Sequence, residues 1–438
     1  MRRVLRWLWR QCWKIALTGF LLIGGSVMAI AAPSTATLTG MPQQTIHATA
    51  RMFAAESPTP SQQERARERA RRGRLLFLAS FLYEGALLVG FFVVGGSRWL
   101  AHLVARFGAR WILALAAVLG IIGLAGAVLT LPLDYYSGFI FEHQYGLSNQ
   151  TTLQWLRDYL VNGAVGLVIG LPLGILSYAI LRRAPHTWWL WLTAISIPVS
   201  ILLMLIAPVF ISPLFNKFTP LQDKVLSEEI LTLAHQQGIQ ANVVFQVDAS
   251  RQSNAVNAYV NGFGPTQRIV LYDTLLKNFS HEEIEFIMAH EMGHYVLGHI
   301  RQGILFSILG TFIASFALYR GSGWILQRYG DRLGYQSLGN PASYPLLIAL
   351  GMVVSLFALP IGNAFSRHLE WQADRFAVQV YPHPDAGIAA FRKLAVINVA
   401  EENPPKWAEV LFGSHPTLAE RIHALEQVEH GKPFPPIP

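Results

Sequence analysis

Charge is scarce in this chain. Asp, Glu, Lys and Arg make up 14% of its 438 residues, against about 25% in a soluble globular protein. With hydrophobic residues at 52%, this shortage excludes a disordered chain and argues against an ordinary cytosolic enzyme. Cysteine is nearly missing too: Cys12 stands alone, so no intrachain disulfide and no Cys-based zinc site can form. Any metal site must be built from His, Asp or Glu. The net charge of +8 is modest. It is gathered in Arg clusters beside apolar runs, which suits lipid headgroups and gives no reason to expect a nucleic-acid partner. There is no internal repeat and no long low-complexity segment.

What the chain does have is long apolar runs. Seven stretches, near residues 12–32, 75–97, 111–131, 160–181, 187–212, 302–320 and 343–365, are long enough to cross about 30 Å of hydrocarbon. The fourth and fifth are separated only by Arg182–His186 and form a helical hairpin. Trp188, Trp189 and Trp191 open the fifth, where an aromatic belt would lie. The first stretch follows a basic segment and ends near Ala29-Ile30-Ala31, which fits a cleaved signal peptide or an uncleaved anchor; its length favours the anchor. The fold class is therefore an all-α multi-pass membrane protein, with about seven transmembrane helices and a small α+β unit. Its expected parts are an N-terminal anchor or signal segment and basic linker (1–74), transmembrane helices (75–212), the α+β unit (213–301), a transmembrane helix pair (302–365) and a C-terminal helical region (366–438). The Arg-rich run through Arg74 reads as a solvated helix lying on headgroups. Val243–Val247 and Arg268–Tyr272 read as strands. The distribution of Lys and Arg does not decide which side of the membrane carries the polar unit.

The segment that carries chemistry is His290-Glu291-Met292-Gly293-His294. With this chain's His and Glu content, His-Glu-x-x-His is expected about 0.02 times by chance. Ser280-His281-Glu282-Glu283 has the form of a capping box, so a helix starts at Ser280. Ile284, Ile287 and Met288 continue it at helical spacing. On that helix His290 and His294 lie one turn apart on one face, so their imidazoles can share one ion. Glu291 projects beside it, where a carboxylate can take a proton from water. The alternative is a helix surface with two solvated histidines. His299, five residues on, suits a structural contact better than ligation.

A catalytic zinc needs a third protein ligand. Glu370 and Asp374, just beyond the seventh apolar stretch, share a helix face. Such a pair suits one carboxylate to bind a metal and one to orient a ligating histidine; a solvated helix-end carboxylate is the alternative for Glu370. Asn257–Gly264 lies between the two strand signals and reads as an exposed edge strand to which a peptide can add in extended form, or as a simple hairpin loop. Gly262 and Gly264 fit its turn. Glu84, inside an apolar stretch, calls for a cavity or a partner, or for a place near the interface. Glu142 and His143 suit structural contacts.

In these motifs the chain resembles the type I CAAX prenyl endopeptidases, membrane-integral zinc metalloproteases closely related to a heat-shock membrane protease family. The resemblance rests on His290-Glu291 with His294 and His299, and on Ser366-Arg367 with Glu370, Ala373 and Asp374. It extends to Leu131-Pro132 through Tyr145–Thr151, to Pro213–Leu221, to Asn257-Ala258-Tyr259 with Gly262, to Arg268–Leu276, and to Ser414-His415-Pro416 with Arg421. It covers roughly residues 75–425; the N-terminal 74 residues match poorly. The resemblance implies one zinc per chain held by His290, His294 and Glu370, with Glu291 as general base. It assigns Asp374 a catalytic or proton-donating role and places His415 and Arg421 near the substrate, where they suit oxyanion stabilisation. It also implies helices enclosing a water-filled chamber, which Glu84 would line.

The sequence reading is a multi-pass zinc metalloendopeptidase whose small α+β unit (213–301) is its zincin-like catalytic unit, with a peptide or protein substrate and the lipid bilayer as its partners. The resemblance implies cleavage near a C-terminal prenylated Cys. A signal-like N-terminus and a compact chain suit a bacterial inner membrane, where general processing or quality control of membrane proteins is the alternative. A non-enzymatic channel or transporter is the alternative of another class.

Overall fold

A computed structural model describes residues 57–261 and 267–437. The apolar stretch 12–32, most of the expected linker, Gly262 and Gly264 lie outside these residues. Six helical stretches among the described residues are long and apolar enough to cross a membrane.

The first, α1 (Pro60–Val93), starts from a capping box made by Thr59 and Gln62, with Pro60 at the first helical position. It differs in part from the expected headgroup helix. The Arg-rich turns are continuous with the apolar ones; Arg65, Arg67, Arg71 and Arg72 are exposed, whereas Arg69 and Arg74 stand against protein. Arg69 is buried, 3.7 Å from Glu142 and over the rings of Phe141 and Tyr145. Arg74 pairs with Glu401 at 2.8 Å. Carboxylate and aromatic partners on neighbouring elements hold these guanidinium groups where headgroup phosphates had been expected to. Glu84 is half-buried midway along α1.

Short α2 (Gly96–Ala105) leads to α3 (Trp111–Tyr135), which runs through a π-helical turn into α4 (Phe141–Gln144). Here His143 is held by the carbonyls of Phe139 and Gln150. The hairpin expected at Arg182–His186 is present: α5 (Thr152–Arg183) turns directly into α6 (Trp188–Ile206). The membrane helices pack around Leu115, Tyr178, Trp188, Leu192 and Leu347. Polar side chains pair between them, Tyr178 with Ser343 and Thr193 with Ser315, both at 3.0 Å. Such pairing is what a polar group inside a lipid-embedded bundle requires.

Between the membrane helices sits a four-stranded sheet in the order β1-β2-β4-β3. Its strands are β1 (Phe218–Pro220), β2 (Val244–Val247), β3 (Ala258–Asn261) and β4 (Arg268–Tyr272), with α7 (Lys224–Gln236) between β1 and β2. β2 and β4 are parallel, with Val244 opposite Ile269. β3 is antiparallel to β4, with Tyr259 opposite Val270, and forms one edge of the sheet. β1 escaped the sequence reading because its three residues end in Pro220, and proline is confined to strand edges.

After α8 (Asp273–Asn278) come the site helix α9 (His281–Val296) and α10 (His299–Leu333). The two are separated by Gly298, whose φ of 68° is one that glycine adopts without strain. The last membrane helix, α11 (Tyr344–Val380), is 37 residues long and carries both Glu370 and Asp374. Three shorter helices follow: α12 (Pro384–Ile397), α13 (Lys406–Phe412) and α14 (Leu418–Glu429). The expected boundaries at 74/75, 301/302 and 365/366 all fall inside continuous helices. An apolar run ends where hydrocarbon ends, whereas the helix carrying it continues into the polar unit. Val244, Ile269, Leu271, Phe286, Met288 and Met292 build the core of that unit, joined by Phe391 and Leu425 from the C-terminal helices.

Candidate metal centre and active site

The site is assembled by two helices from distant parts of the chain. The start of α9 is fixed by the expected capping box: Ser280 N–H donates to Glu283 Oε2 at 2.8 Å, and Glu283 N–H donates to Ser280 Oγ at 3.3 Å. Lys393 then donates to Glu283 Oε2 at 2.7 Å, which clamps this end of α9 to α12. Further along, Gly293 allows α9 to approach α11. A Cβ at this position would lie 3.0 Å from Phe376 Cδ1 and 3.3 Å from Ala373 Cα.

That approach brings His290, His294 and Glu370 together, one ligand atom from each lying within 4.8 Å of the others. The Nε2 atoms of the two imidazoles are 3.2 Å apart. Glu370 Oε2 lies 3.3 Å from His290 Nε2, and Glu370 Oε1 lies 3.5 Å from His294 Nε2. The outer nitrogens have partners of their own. His290 Nδ1 donates to Asp374 Oδ1 at 2.8 Å. His294 Nδ1 meets His299 Nδ1 at 2.9 Å, and His299 Nε2 donates to Gln372 Oε1 at 2.9 Å. Because Gln372 Oε1 can only accept, a neutral His299 accepts at Nδ1, and His294 donates to it. Both Nε2 atoms therefore face the centre, as ligation requires.

The electrostatics agree with a site built for a cation. Burial alone lowers the pKa of His290, but its bonds to Asp374 and Glu370 outweigh this and raise it to about 10. Burial lowers the pKa of His294 to about 4. Burial pushes the Glu291 carboxyl up to about 7. Glu370 Oε2 is buried, and its neighbour is the His290 Nε2 atom at 3.3 Å, outside good hydrogen-bond geometry. A divalent ion would fill that place, and two imidazoles with one carboxylate are a donor set that zinc accepts. The residues present fit the metal.

Arg421, on α14, is committed to Asp374: Nε reaches Oδ2 at 2.7 Å and Nη2 reaches Oδ1 at 2.6 Å. Its other face stacks on Phe391, 4.1 Å from the ring centroid. These contacts hold Asp374 against His290, and Arg421 also lines the cavity beside the site. His415 is placed differently. Its Nε2 lies 3.1 Å from Glu370 Oε1 and its Nδ1 2.9 Å from Ser414 Oγ. The turn before it is fixed by Arg367, which donates to the carbonyls of Glu409 and Gly413.

A cavity of about 150 Å³ opens beside these residues, lined by Glu291, His415, Asn257, Ala258 and Arg69 among others. The edge strand thus begins at the wall of the cavity. Tyr259 is not part of the lining; its ring packs on the core, and burial raises its phenol pKa. Sequence reasoning missed Arg69 and Gln372, since a charged residue ahead of a membrane span and a glutamine on a polar helix face give no local signal.

Comparison with known proteins gives the same picture over nearly the whole chain. The family model described as Peptidase family M48 matches residues 220–429. The one described as CAAX prenyl protease N-terminal, five membrane helices, matches residues 47–217. The CAAX prenyl protease 1 of Saccharomyces cerevisiae is 32% identical over 337 residues, 72% of this chain and 72% of that protein. The chain belongs to peptidase family M48. An uncharacterized metalloprotease of Bacillus subtilis, YhfN, is 35% identical over 314 residues, 71% of this chain and 72% of its own. The crystal structure of S. mikatae Ste24p superposes with a TM-score of 0.74 at 25% identity, covering 97% of this chain and 99% of that one. This M48 peptidase is a multi-pass membrane zinc metalloendopeptidase, and the channel, transporter and general quality-control readings are not favoured.

Proposed function

We propose that this M48 peptidase cleaves a peptide near its C-terminus, after a prenylated Cys, with one zinc per chain held by His290, His294 and Glu370. The observation that carries the reading is the convergence of those three side chains beside a cavity that His290 and Glu370 line together with the start of an edge strand. Zinc, when bound, supplies Lewis acidity toward the scissile carbonyl and acidifies water. Glu291 takes the proton of the attacking water and passes it to the leaving amine, a task suited to a carboxyl whose pKa sits near neutrality. His415 faces the same centre and stabilises the oxyanion that develops there. Asp374 orients His290, and Arg421 orients Asp374. Asn257, Ala258 and Tyr259 present the edge of β3 to the substrate main chain, which adds to the sheet in extended form.

The prenyl preference is supported by the names of relatives, the CAAX prenyl protease 1 of yeast and the CAAX prenyl protease 1 homologs of rice and Arabidopsis thaliana among them. A bacterial inner membrane as location is supported by the signal-like N-terminal pattern. The test uses one peptide with and without a farnesyl group and compares zinc-dependent cleavage by the purified protein. The farnesyl peptide is expected to be cleaved faster. Equal rates count against prenyl specificity while leaving the protease intact.

A further inference from the structure

Helix α13 is inside out. Residues 408 and 409 face the protein, and the buried one with a charge is Glu409. Trp407, Val410 and Leu411, spaced i, i+3 and i+4 and so on one face, point outward, with 58%, 38% and 38% of their surfaces exposed. A helix that packs its carboxylate inward and its indole outward is built for a solvent less polar than water.

Its neighbours place it at membrane level. Phe412 meets the ring of Phe77 on α1, centroids 5.2 Å apart, and Phe77 lies inside the apolar part of that span. The Leu411 carbonyl accepts from the Asn363 side chain on α11, at 2.7 Å. Asn363 lies near the end of the last apolar run. Helix α13 therefore lies against α1 and α11 where both leave the hydrocarbon. The exposed apolar surface of those spans, Leu75 and Leu78 on α1 and Phe357 and Ile361 on α11, flanks it. Two cations stand by this face: Arg74, paired with Glu401, lies 5.7 Å over the Trp407 ring, and Lys406, exposed, pairs with Glu409 and Glu420. A tryptophan flanked by Arg and Lys is the pattern of a membrane–water interface.

We propose that α13 is a membrane-inserted interfacial helix, with Trp407, Val410 and Leu411 embedded in the acyl–headgroup boundary of the bilayer that the chain spans. The turn that follows it carries His415, so one end of the catalytic centre is seated on lipid. The occupant of this face is bilayer lipid; the inference rests on the membrane-spanning helices and not on the proposed substrate.

The experiment uses the full chain with its single cysteine removed (Cys12→Ala), in liposomes of phosphatidylcholine and phosphatidylglycerol. Single cysteines are introduced by Val410→Cys, by Ile361→Cys on an exposed position of the α11 span, and by Glu228→Cys on an exposed position of α7. Each is labelled with a polarity-sensitive fluorophore. The label at 410 is expected to emit blue-shifted light and to lose intensity when lipids carry a shallow nitroxide on the chain, as the label at 361 does. The label at 228 should respond only to aqueous iodide. A label at 410 that behaves like the one at 228 overturns the proposal. A label at 410 that neither quencher reaches, as a protein partner would produce, overturns it equally. Cleavage of a water-soluble peptide in detergent reports the active site separately from this readout.

Discussion

Arg421 and Asp374 form a two-point ion pair, Nε to Oδ2 at 2.7 Å and Nη2 to Oδ1 at 2.6 Å, and the same Oδ1 accepts from His290. One carboxylate therefore fixes both the tautomer and the aim of a proposed zinc ligand, and a buried guanidinium fixes the carboxylate.

Asp374→Asn tests this arrangement. The neutral amide weakens the hold on His290, and removing such an outer partner typically lowers metal affinity about 10- to 100-fold. It also leaves the Arg421 charge buried without its partner, a one-sided loss that costs about 3–5 kcal/mol. Competition with a chelator is expected to show weaker zinc retention, and thermal denaturation a lower midpoint. Unchanged zinc affinity would show that His290 needs no orienting group.

Glu291→Gln separates binding from chemistry. The variant is expected to keep one zinc per chain by elemental analysis, because Glu291 is not among the converging ligands. Cleavage should fall by about 10²- to 10⁴-fold, the usual contribution of a general base. Retained turnover in the purified variant would remove Glu291 from that role.

Gly293→Ala tests the helix approach. The added methyl meets Phe376 and the Ala373 backbone at 3.0–3.3 Å, so α9 and α11 must part by a few tenths of an ångström. The two imidazoles and Glu370 then fit one ion less well. Zinc affinity should fall while Glu291 and the cavity stay in place. Wild-type affinity in this variant would mean that Phe376 swings aside freely.

The pH dependence of metal loading follows from His290. Its pKa in the folded, metal-free protein is about 10, above the ordinary value of about 6.5. Its imidazolium thus favours the folded metal-free state fully below about pH 6.5, and that contribution is lost as pH rises through about 10. A metal must displace the Nε2 proton, whereas His294, lowered to about 4, is already neutral. Zinc binding at pH 8 should release about one proton, and affinity should rise with pH over this range. Calorimetry in buffers of different ionisation enthalpy reads the proton count. A count of zero would contradict the His290 assignment.

Much of this centre was legible in the sequence because it is local. The capping box at Ser280, the i, i+4 histidines and the shared face of Glu370 and Asp374 are each contained within a few turns of helix. The pairings that complete the site are not local. Arg421 is 47 residues from Asp374, Gln372 is 73 from His299, and no pattern of spacing foretells either. Hydropathy located the membrane runs but not the helix ends, since Arg69 and Arg74 continue a helix that polarity alone would end. The Arg421 contacts are hidden for the same reason: its chemistry suits an oxyanion, and its pairing with Asp374 spans distant parts of the chain.

Glu370 rides on the helix that begins at Tyr344 and crosses the apolar run before reaching the metal centre. The 27 residues from Tyr344 to Glu370 span about 40 Å, with Pro360 inside that length. A change of about 5° in tilt, of the kind that bilayers of different thickness impose, would swing the far end by about 2 Å relative to the midpoint. Zinc affinity is therefore expected to vary with acyl-chain length in liposomes, and equal affinity across lipids would show that α9 and α11 tilt as one body.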